Sequence, residues 1–305
     1  MADKTIDYKK MTLVEIEQAY ITISDDDLIK KEELLRNWCI KLDEEGKYEE
    51  ALAKTKEYIY LMLRQRFVYN EPRTFFAFKS VSDYLIQEIK TGKVSLSPAD
   101  KFNDPIDPVI SFWVKYQINH SKNIRFVCLL QKVVELLRIK CFVRTSALLD
   151  ANNKLDIEKP QDVNEICPLM WAHYADGHRG VCLEYEIPPI CIKSDSTRGF
   201  LALFPVSYEE KIELNDELKI NVALSAKSVD WKYENEVRLV LFDPNTTEEF
   251  PTVEGLKLKA VYLGVNCLDS DERKIRLALL NKPVELYKMT INPKNLYRFE
   301  AKRIG

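Results

Sequence analysis

Pro168-Leu169-Met170-Trp171-Ala172-His173-Tyr174-Ala175-Asp176-Gly177-His178-Arg179-Gly180-Val181-Cys182-Leu183-Glu184-Tyr185-Glu186-Ile187 holds two periodicities end to end. Pro168 suits a first helical turn, where its missing N–H is no loss. Leu169 to Asp176 then reads as a short helix stopped by Gly177. From Gly180 the pattern alternates, with Val181, Leu183, Tyr185 and Ile187 on one face of a strand that Pro188-Pro189 closes. The stretch also concentrates scarce residues: two of the 3 histidines, one of the 4 tryptophans and two of the 8 glycines. Such density marks either a site or a tight structural corner.

Outward from this segment, strands and helices mix without a regular βαβ rhythm. Downstream, Phe200 to Tyr208, Glu236 to Phe242, Leu258 to Gly264 and 283–290 read as strands, with helices over 212–227 and 269–281. Upstream, Thr74 to Phe78 is a strand. A helix follows between the N-cap oxygens of Ser80-Val81-Ser82-Asp83 and a left-handed stop at Gly92. Lys93 to Ser97 is a short alternating strand, and Phe102-Asn103-Asp104-Pro105 is a turn signature. Helices around 109–119 and 124–137 precede a strand from Ile139 to Thr145, and 150–166 is an exposed loop. This order defines an α+β fold, a central mixed or antiparallel sheet with surrounding helices.

Residues 10 to 70 are helical and nearly free of Gly and Pro. Leu34, Leu35, Trp38, Cys39 and Leu42 form one stripe at three-and-four spacing. Gly46 ends that helix, and Tyr48, Ala51, Leu52, Thr55, Tyr58 and Ile59 mark the next. The pair resembles the turn and second helix of a tetratricopeptide repeat, but one copy makes no solenoid. The expectation is an N-terminal helical hairpin, with residues 1–71 as a helical region and 72–305 as the α+β domain. Its functional alternative is a partner-docking element.

The 305 residues are 46% hydrophobic and 30% charged, with a net charge of −3. That is an ordinary globular composition with no global field toward nucleic acid or anionic lipid. No apolar run reaches about 18 residues, the length of a membrane span, and Met1 to Asp7 lacks a signal-peptide core. The 7 cysteines are scattered without a CxxC pair, which suits reduced thiols and a cytoplasmic location.

His173 and His178 are five apart and share no helix face, unlike the His pair of a zinc protease. With Cys167 and Cys182 they match no zinc-module spacing, so no metal is expected. No Gly-rich phosphate loop or nucleophile elbow is present. A second cluster, Lys227-Ser228-Val229-Asp230-Trp231-Lys232-Tyr233-Glu234-Asn235-Glu236-Val237-Arg238, sets Glu234 and Glu236 two apart. On a strand both would face one side, with Arg238 continuing the row. Such a row is a salt-bridge ladder, or a carboxylate in a cleft that holds a ribose and stabilises positive charge on its sugar carbon. Trp171 and Trp231 also read as core aromatics, and His173 as a structural histidine.

Phe76-Ala77-Phe78, Phe102-Asn103-Asp104-Pro105, Cys141-Phe142 with Ser146, Met170-Trp171-Ala172-His173-Tyr174-Ala175-Asp176 with His178-Arg179-Gly180, and Lys227 with Trp231-x-Tyr233-Glu234-x-Glu236-x-Arg238 occur in that order. From about Thr74 to 300 the chain resembles the bacterial domain-of-unknown-function 2971 family, which carries no settled activity. The layout is also similar to the ADP-ribosyltransferase-like fold with its split sheet. That resemblance implies NAD as substrate, in ADP-ribosyl transfer or NAD cleavage, by a toxin or phage-defence effector. Under it Phe76 and Phe78 flank the nicotinamide–ribose, and Tyr174 or Trp171 stacks on nicotinamide. Glu236 holds the ribose with Arg238 beside it, and Glu234 orients the acceptor. The first strand lacks the basic residue usual there, so Arg73, Lys79 or His173 must supply that contact, and His173 stands with Glu236 and Glu234 as a catalytic candidate, a base included. Analogy of fold alone is a weak warrant for activity. Two alternatives stand beside it: a nucleotide- or nucleic-acid-binding module without turnover, and a protein-interaction module acting through the 10–70 helices.

Overall fold

The computed structural model describes residues 10–24, 27–64, 72–102, 104, 106–107, 109–121, 124–145, 161–189, 200–214, 220–243 and 248–305. Asn103, Pro105, Ser146 and most of the 150–166 loop, all singled out above, lie outside them.

The chain starts with three helices, α1 (Leu13–Thr22), α2 (Leu28–Glu44) and α3 (Tyr48–Arg64). A capping box opens α1: the Glu15 N–H donates to Thr12 Oγ1 at 3.3 Å and the Thr12 N–H to Glu15 Oε2 at 2.7 Å. Gly46 turns the chain between α2 and α3 at φ +77°, a conformation in which a Cβ is strained. Leu34, Leu35, Trp38, Cys39 and Leu42 of α2 are buried, as are Ala51, Thr55, Tyr58 and Ile59 of α3. The helical stripes therefore face each other as the spacing predicts. The same apolar cluster continues through Phe75, Leu183 and Leu239 of the sheet, so these helices share the core of the rest of the chain.

The remaining elements are β1 (Arg73–Lys79), α4 (Asp83–Thr91), β2 (Val94–Ser95), β3 (Ser97–Pro98), α5 (Ile110–His120), α6 (Ile124–Val134), β4 (Leu137–Val143), α7 (Pro168–Tyr174), β5 (Val181–Ile187), β6 (Phe200–Pro205), β7 (Ser207–Glu209), α8 (Ile220–Ser225), β8 (Ala226–Ser228), β9 (Glu236–Phe242), β10 (Thr252–Val253), β11 (Lys257–Leu263), α9 (Asp269–Ala278), β12 (Glu285–Ile291) and β13 (Phe299–Arg303). The main sheet runs β13-β12-β11-β5-β1-β4-β9-β6, with β3 on β4, while β2 with β10 and β7 with β8 form separate ribbons. Every pair in the main sheet is antiparallel except β11 with β12, where α9 supplies the crossover a parallel pair requires. The fold is mixed α+β. Among the described residues, no helix is long and apolar enough to cross a membrane.

Alternation on the strands divides the core. Phe75 and Ala77 of β1, with Val181, Leu183, Tyr185 and Ile187 of β5, join the cluster shared with the helices. Phe76 of β1 and Cys182 of β5 point the other way, into a second core with Trp171, Met170, Ala175 and Tyr262 beneath α7. β1 registers with β4 at the single pair Phe76–Val143, whereas β1 pairs with β5 along its whole length. The sheet has a seam there.

Three readings of the sequence change. The 212–227 helix contracts to α8, because Ala226 to Ser228 enter a parallel ribbon with β7; residues 215–219 lie outside the described set. The Phe200–Tyr208 strand breaks at Val206, after Pro205, which has no N–H to extend the ladder. β13, with Glu300, Lys302 and Arg303 on an exposed edge, carries too little apolar alternation to be read as a strand.

Two glycines fix how α7 returns to the sheet. A Cβ on Gly180 would meet the Lys79 carbonyl oxygen at 2.2 Å, and one on Gly264 the His178 carbonyl oxygen at 2.1 Å. Both obstacles are backbone atoms, which have little room to yield. Gly180→Ala and Gly264→Ala should each lower unfolding free energy by about 1–3 kcal/mol or more in urea titrations. Leu277→Ala, 71% exposed on α9, should stay within roughly 0.5 kcal/mol of wild type. Glycine variants as stable as Leu277→Ala would refute the close approach.

Candidate functional site

α7 ends at Tyr174, and the next residues make an unusual turn. Asp176, Gly177 and His178 all have positive φ, at +47°, +58° and +69°. Two of these are not glycine, so the surroundings must hold them there. The His178 N–H donates to the Trp171 carbonyl at 3.1 Å and the Gly180 N–H to that of Ala175 at 2.7 Å. The His178 carbonyl accepts from the Asn266 N–H at 3.0 Å. This corner sinks Trp171 into the core, 1% exposed, edge-on to Phe78 at 5.0 Å and to Phe299 at 6.4 Å between ring centroids. Tyr174 is left half-buried on the side of the seam.

Across from it, Val229–Glu234 forms a 3₁₀ helix capped by the Ser228 hydroxyl and closed by Asn235 at φ +44°. Glu234 therefore lies in a helical turn, not on a strand beside Glu236. The left-handed Asn235 breaks the pleat between them, and β9 begins at Glu236. The two carboxylates still converge, because both reach Lys227. Its Nζ donates to Glu234 Oε2 at 2.6 Å and Glu236 Oε2 at 3.0 Å, and lies 3.4 Å from Asp107 Oδ2. Arg238, fully buried, donates through Nε to Glu236 Oε1 at 2.7 Å, through Nη1 to the Leu224 carbonyl at 2.8 Å, and through Nη2 to Asp107. The Tyr174 hydroxyl donates to Glu234 Oε1 at 2.5 Å. The Glu236 N–H donates to the Tyr208 hydroxyl at 2.8 Å.

Three carboxylates thus meet two cations in a buried cluster, and their acidities divide. Burial pushes the Asp107 and Glu234 carboxyls up, against the pull of Arg238 and Lys227 respectively. Burial also opposes ionisation of Glu236, but Arg238 and Lys227 outweigh it and hold that carboxyl down at about 2. Burial pushes the Tyr174 hydroxyl up, reinforced by Glu234, so it stays a proton donor. The Cys141 thiol is raised by burial and by Glu236, which excludes an activated thiolate.

A cavity of about 110 Å³ opens onto this cluster, lined by Phe78, Phe102, Asp107, Cys141, Val143, Met170, Tyr174, Lys227, Glu234 and Glu236. Phe78, Cys141 and Val143 come from the β1–β4 seam. Of the residues the sequence assigns to ligand or chemistry, Phe78, Tyr174, Glu234 and Glu236 share this cavity, with Phe102, Cys141, Met170 and Lys227 of the quoted motifs beside them. Phe76, Trp171 and Arg238 do not line it: Phe76 and Trp171 pack into the second core, and Arg238 is sealed behind Glu236. His173 is exposed beside Tyr174 rather than in the cavity. Lys79 lies across the sheet, paired with Glu88. Asp107 was not singled out; its signal is a second Asp-Pro step, Asp107-Pro108, right after Asp104-Pro105. Two roomier clefts, about 380 Å³ beside Trp38 and Lys54 and about 500 Å³ beside Tyr84 and Phe250, gather no comparable set of reactive groups. Among the described residues, no group of three or more His, Cys, Asp or Glu side chains is arranged to hold a metal ion.

Residues 170–239 match the model of a family described as Protein of unknown function (DUF2971). The matched segment contains Tyr174, Lys227, Glu234, Glu236 and Arg238, the core of the cluster. No curated protein and no solved structure matches the chain.

The cluster makes acid stability specific. The Glu236 carboxyl is held well below its ordinary 4.5 in the folded state. Its contribution is present above about pH 4.5 and is lost as pH falls toward 2. Glu236→Gln and Arg238→Met should each cost about 3–5 kcal/mol at pH 7, because each leaves buried charge uncompensated. Glu236→Gln should also flatten the loss of stability between pH 4.5 and 2. Urea titrations across that range decide it; an unchanged pH slope in Glu236→Gln refutes the assignment.

Proposed function

We propose that the protein cleaves the N-glycosidic bond between nicotinamide and ribose in NAD, passing the ADP-ribosyl group to water or to an acceptor nucleophile. The observation that carries this reading is the convergence of Phe78, Tyr174, Glu234 and Glu236 on one aromatic-walled cavity with an excess of carboxylate. The ring of bound nicotinamide is a small aromatic cation, which aromatic faces and carboxylates both favour. The cavity is about 110 Å³ and opens at its mouth; roughly 150 Å³ holds a benzene, so it seats one ring only with the outer edge of that ring in the mouth, and not a dinucleotide. An ADP-ribosyltransferase-like use of the split sheet belongs to the same proposal.

In the reaction the C1′–N bond breaks and its electron pair stays on nicotinamide, which leaves neutral and needs no proton. Positive charge grows on the ribose carbon. Glu236, ionised at every ordinary pH, stabilises that charge. The attacking oxygen forms the new bond to C1′ and gives its proton to Glu234. A carboxylate with a raised pKa is the better base near neutrality. Asp107 and Arg238 act one step back, by setting the charge on Glu236 and the position of Lys227. One feature favours a second reading, nucleotide binding without turnover: Arg238 and Lys227 occupy both oxygens of Glu236.

Incubation with NAD, followed by chromatography of free nicotinamide, separates the two. Release should fall by about 10²–10⁴ in Glu234→Gln. Activity should drop as pH falls through the raised Glu234 pKa. Tyr174→Phe removes a hydrogen bond that favours the Glu234 carboxylate, so it should move this acid limb to higher pH. Intact NAD after prolonged incubation with wild-type protein, alone and with protein and nucleic-acid acceptors, sinks the cleavage reading.

A further inference from the structure

The cavity accounts for one ring of a dinucleotide and leaves the rest outside. Beside its mouth stands an aromatic group that the chemistry above does not use. His173 lies on the solvent side of α7 and is exposed; Trp231 and Tyr233, from the 3₁₀ helix, are half-buried. Ring centroids lie 6.2 Å apart for His173 and Trp231, 6.3 Å for His173 and Tyr233, and 6.1 Å for Trp231 and Tyr233. The group is continuous with the cavity. Lys227, a cavity wall, sits 5.0 Å from the centre of the Trp231 ring. Tyr233 precedes Glu234, and His173 precedes Tyr174, which is bonded to Glu234.

The three rings are of different chemistry and converge from two elements; His173 is exposed, Trp231 is half-buried, and Tyr233 packs in part against the second core. Trp38, Trp113 and Trp171 are each 7% exposed or less. Trp231 alone among the four tryptophans keeps an accessible face. A planar heteroaromatic base stacks on such faces without needing shape-specific hydrogen bonds.

We infer that the His173–Trp231–Tyr233 rim is the platform for the distal base of a dinucleotide whose nicotinamide occupies the cavity. The inference rests on the NAD reading of that cavity and extends it. The rim makes the protein select a dinucleotide over a mononucleotide. It carries no reacting atom, so its residues set specificity and are not catalytic. His173 is thereby a binding residue of the outer half of the ligand, not a base for the chemistry.

NAD and nicotinamide mononucleotide share the scissile bond and differ in the adenosine half. Trp231→Ala should raise KM for NAD roughly tenfold or more and leave kcat within about twofold. Its KM for nicotinamide mononucleotide should be unchanged, and Trp231→Phe should restore most of the NAD affinity. Equal effects on both substrates, or none on either, would overturn the platform. If wild-type protein releases nicotinamide from neither compound, the cleavage reading fails by itself. The platform is then tested by AMP alone. Saturable quenching of wild-type tryptophan emission, lost in Trp231→Ala, supports it, and emission indifferent to AMP overturns it.

Discussion

Arg238 is the constraint on which the site depends. It is fully buried, and its guanidinium joins three segments by holding Glu236, Asp107 and the Leu224 carbonyl at once. Removing a guanidinium from water is tolerable only when most of its donors are engaged. That requirement fixes the start of β9, the approach to α5 and the end of α8 relative to one another. Lys227 adds the second cation and draws Glu234 into the same cluster. A set of apolar side chains of equal volume would serve stability as well or better. What apolar side chains would not do is split the acidities of two neighbouring carboxylates, leaving Glu236 a fixed anion and Glu234 a group that exchanges its proton closer to neutrality.

The split follows from backbone geometry as much as from charge. Had Glu234 and Glu236 lain on one strand, two residues apart, both would have faced Arg238 alike. The 3₁₀ helix and the left-handed Asn235 rotate Glu234 away, so that it meets Lys227 and Tyr174 but not Arg238. Asparagine tolerates that conformation better than most side chains do. The corner after α7 acts in the same way on the opposite wall. Its left-handed residues and the two crowded glycines bring Tyr174 to the seam while Trp171 goes into the core. Both walls are set by short irregular turns anchored to strands that pair along their length.

This explains what the sequence disclosed and what it withheld. Periodicity reports which face of an element is buried, so the α2 and α3 stripes, β1, β5 and the Gly92 stop were legible. The α+β class followed from their order. Periodicity does not report strand order or where two strands part, and the β1–β4 seam was therefore invisible. The Trp-x-Tyr-Glu-x-Glu-x-Arg pattern pointed to the right charges but to the wrong backbone for Glu234. A six-residue 3₁₀ helix has no period long enough to compete with the adjoining strand. Asp107 escaped notice because its pairing with Arg238 spans 131 residues of sequence, and the local Asp-Pro step gives no hint of that partner. Phe76 and Trp171 were legible as important residues, and their importance lies in packing.

Cavity size then bears on how chemistry and recognition are divided. A space near 110 Å³ is smaller than the roughly 150 Å³ that holds a benzene, so under the proposed function affinity for a dinucleotide must come from surface at and beyond its mouth. Binding gathered at a distance from the reacting bond is what allows an enzyme to hold a strained or desolvated reacting group. His173 and Tyr174 are consecutive on α7, and Tyr233 and Glu234 are consecutive in the 3₁₀ helix. In both pairs one residue faces the rim and the next faces the carboxylates. Under the proposed function, a base stacked outside and a ring held inside would be registered by the same two turns. A shift of either turn would disturb both together, and the corner after α7 is held by three consecutive residues at positive φ.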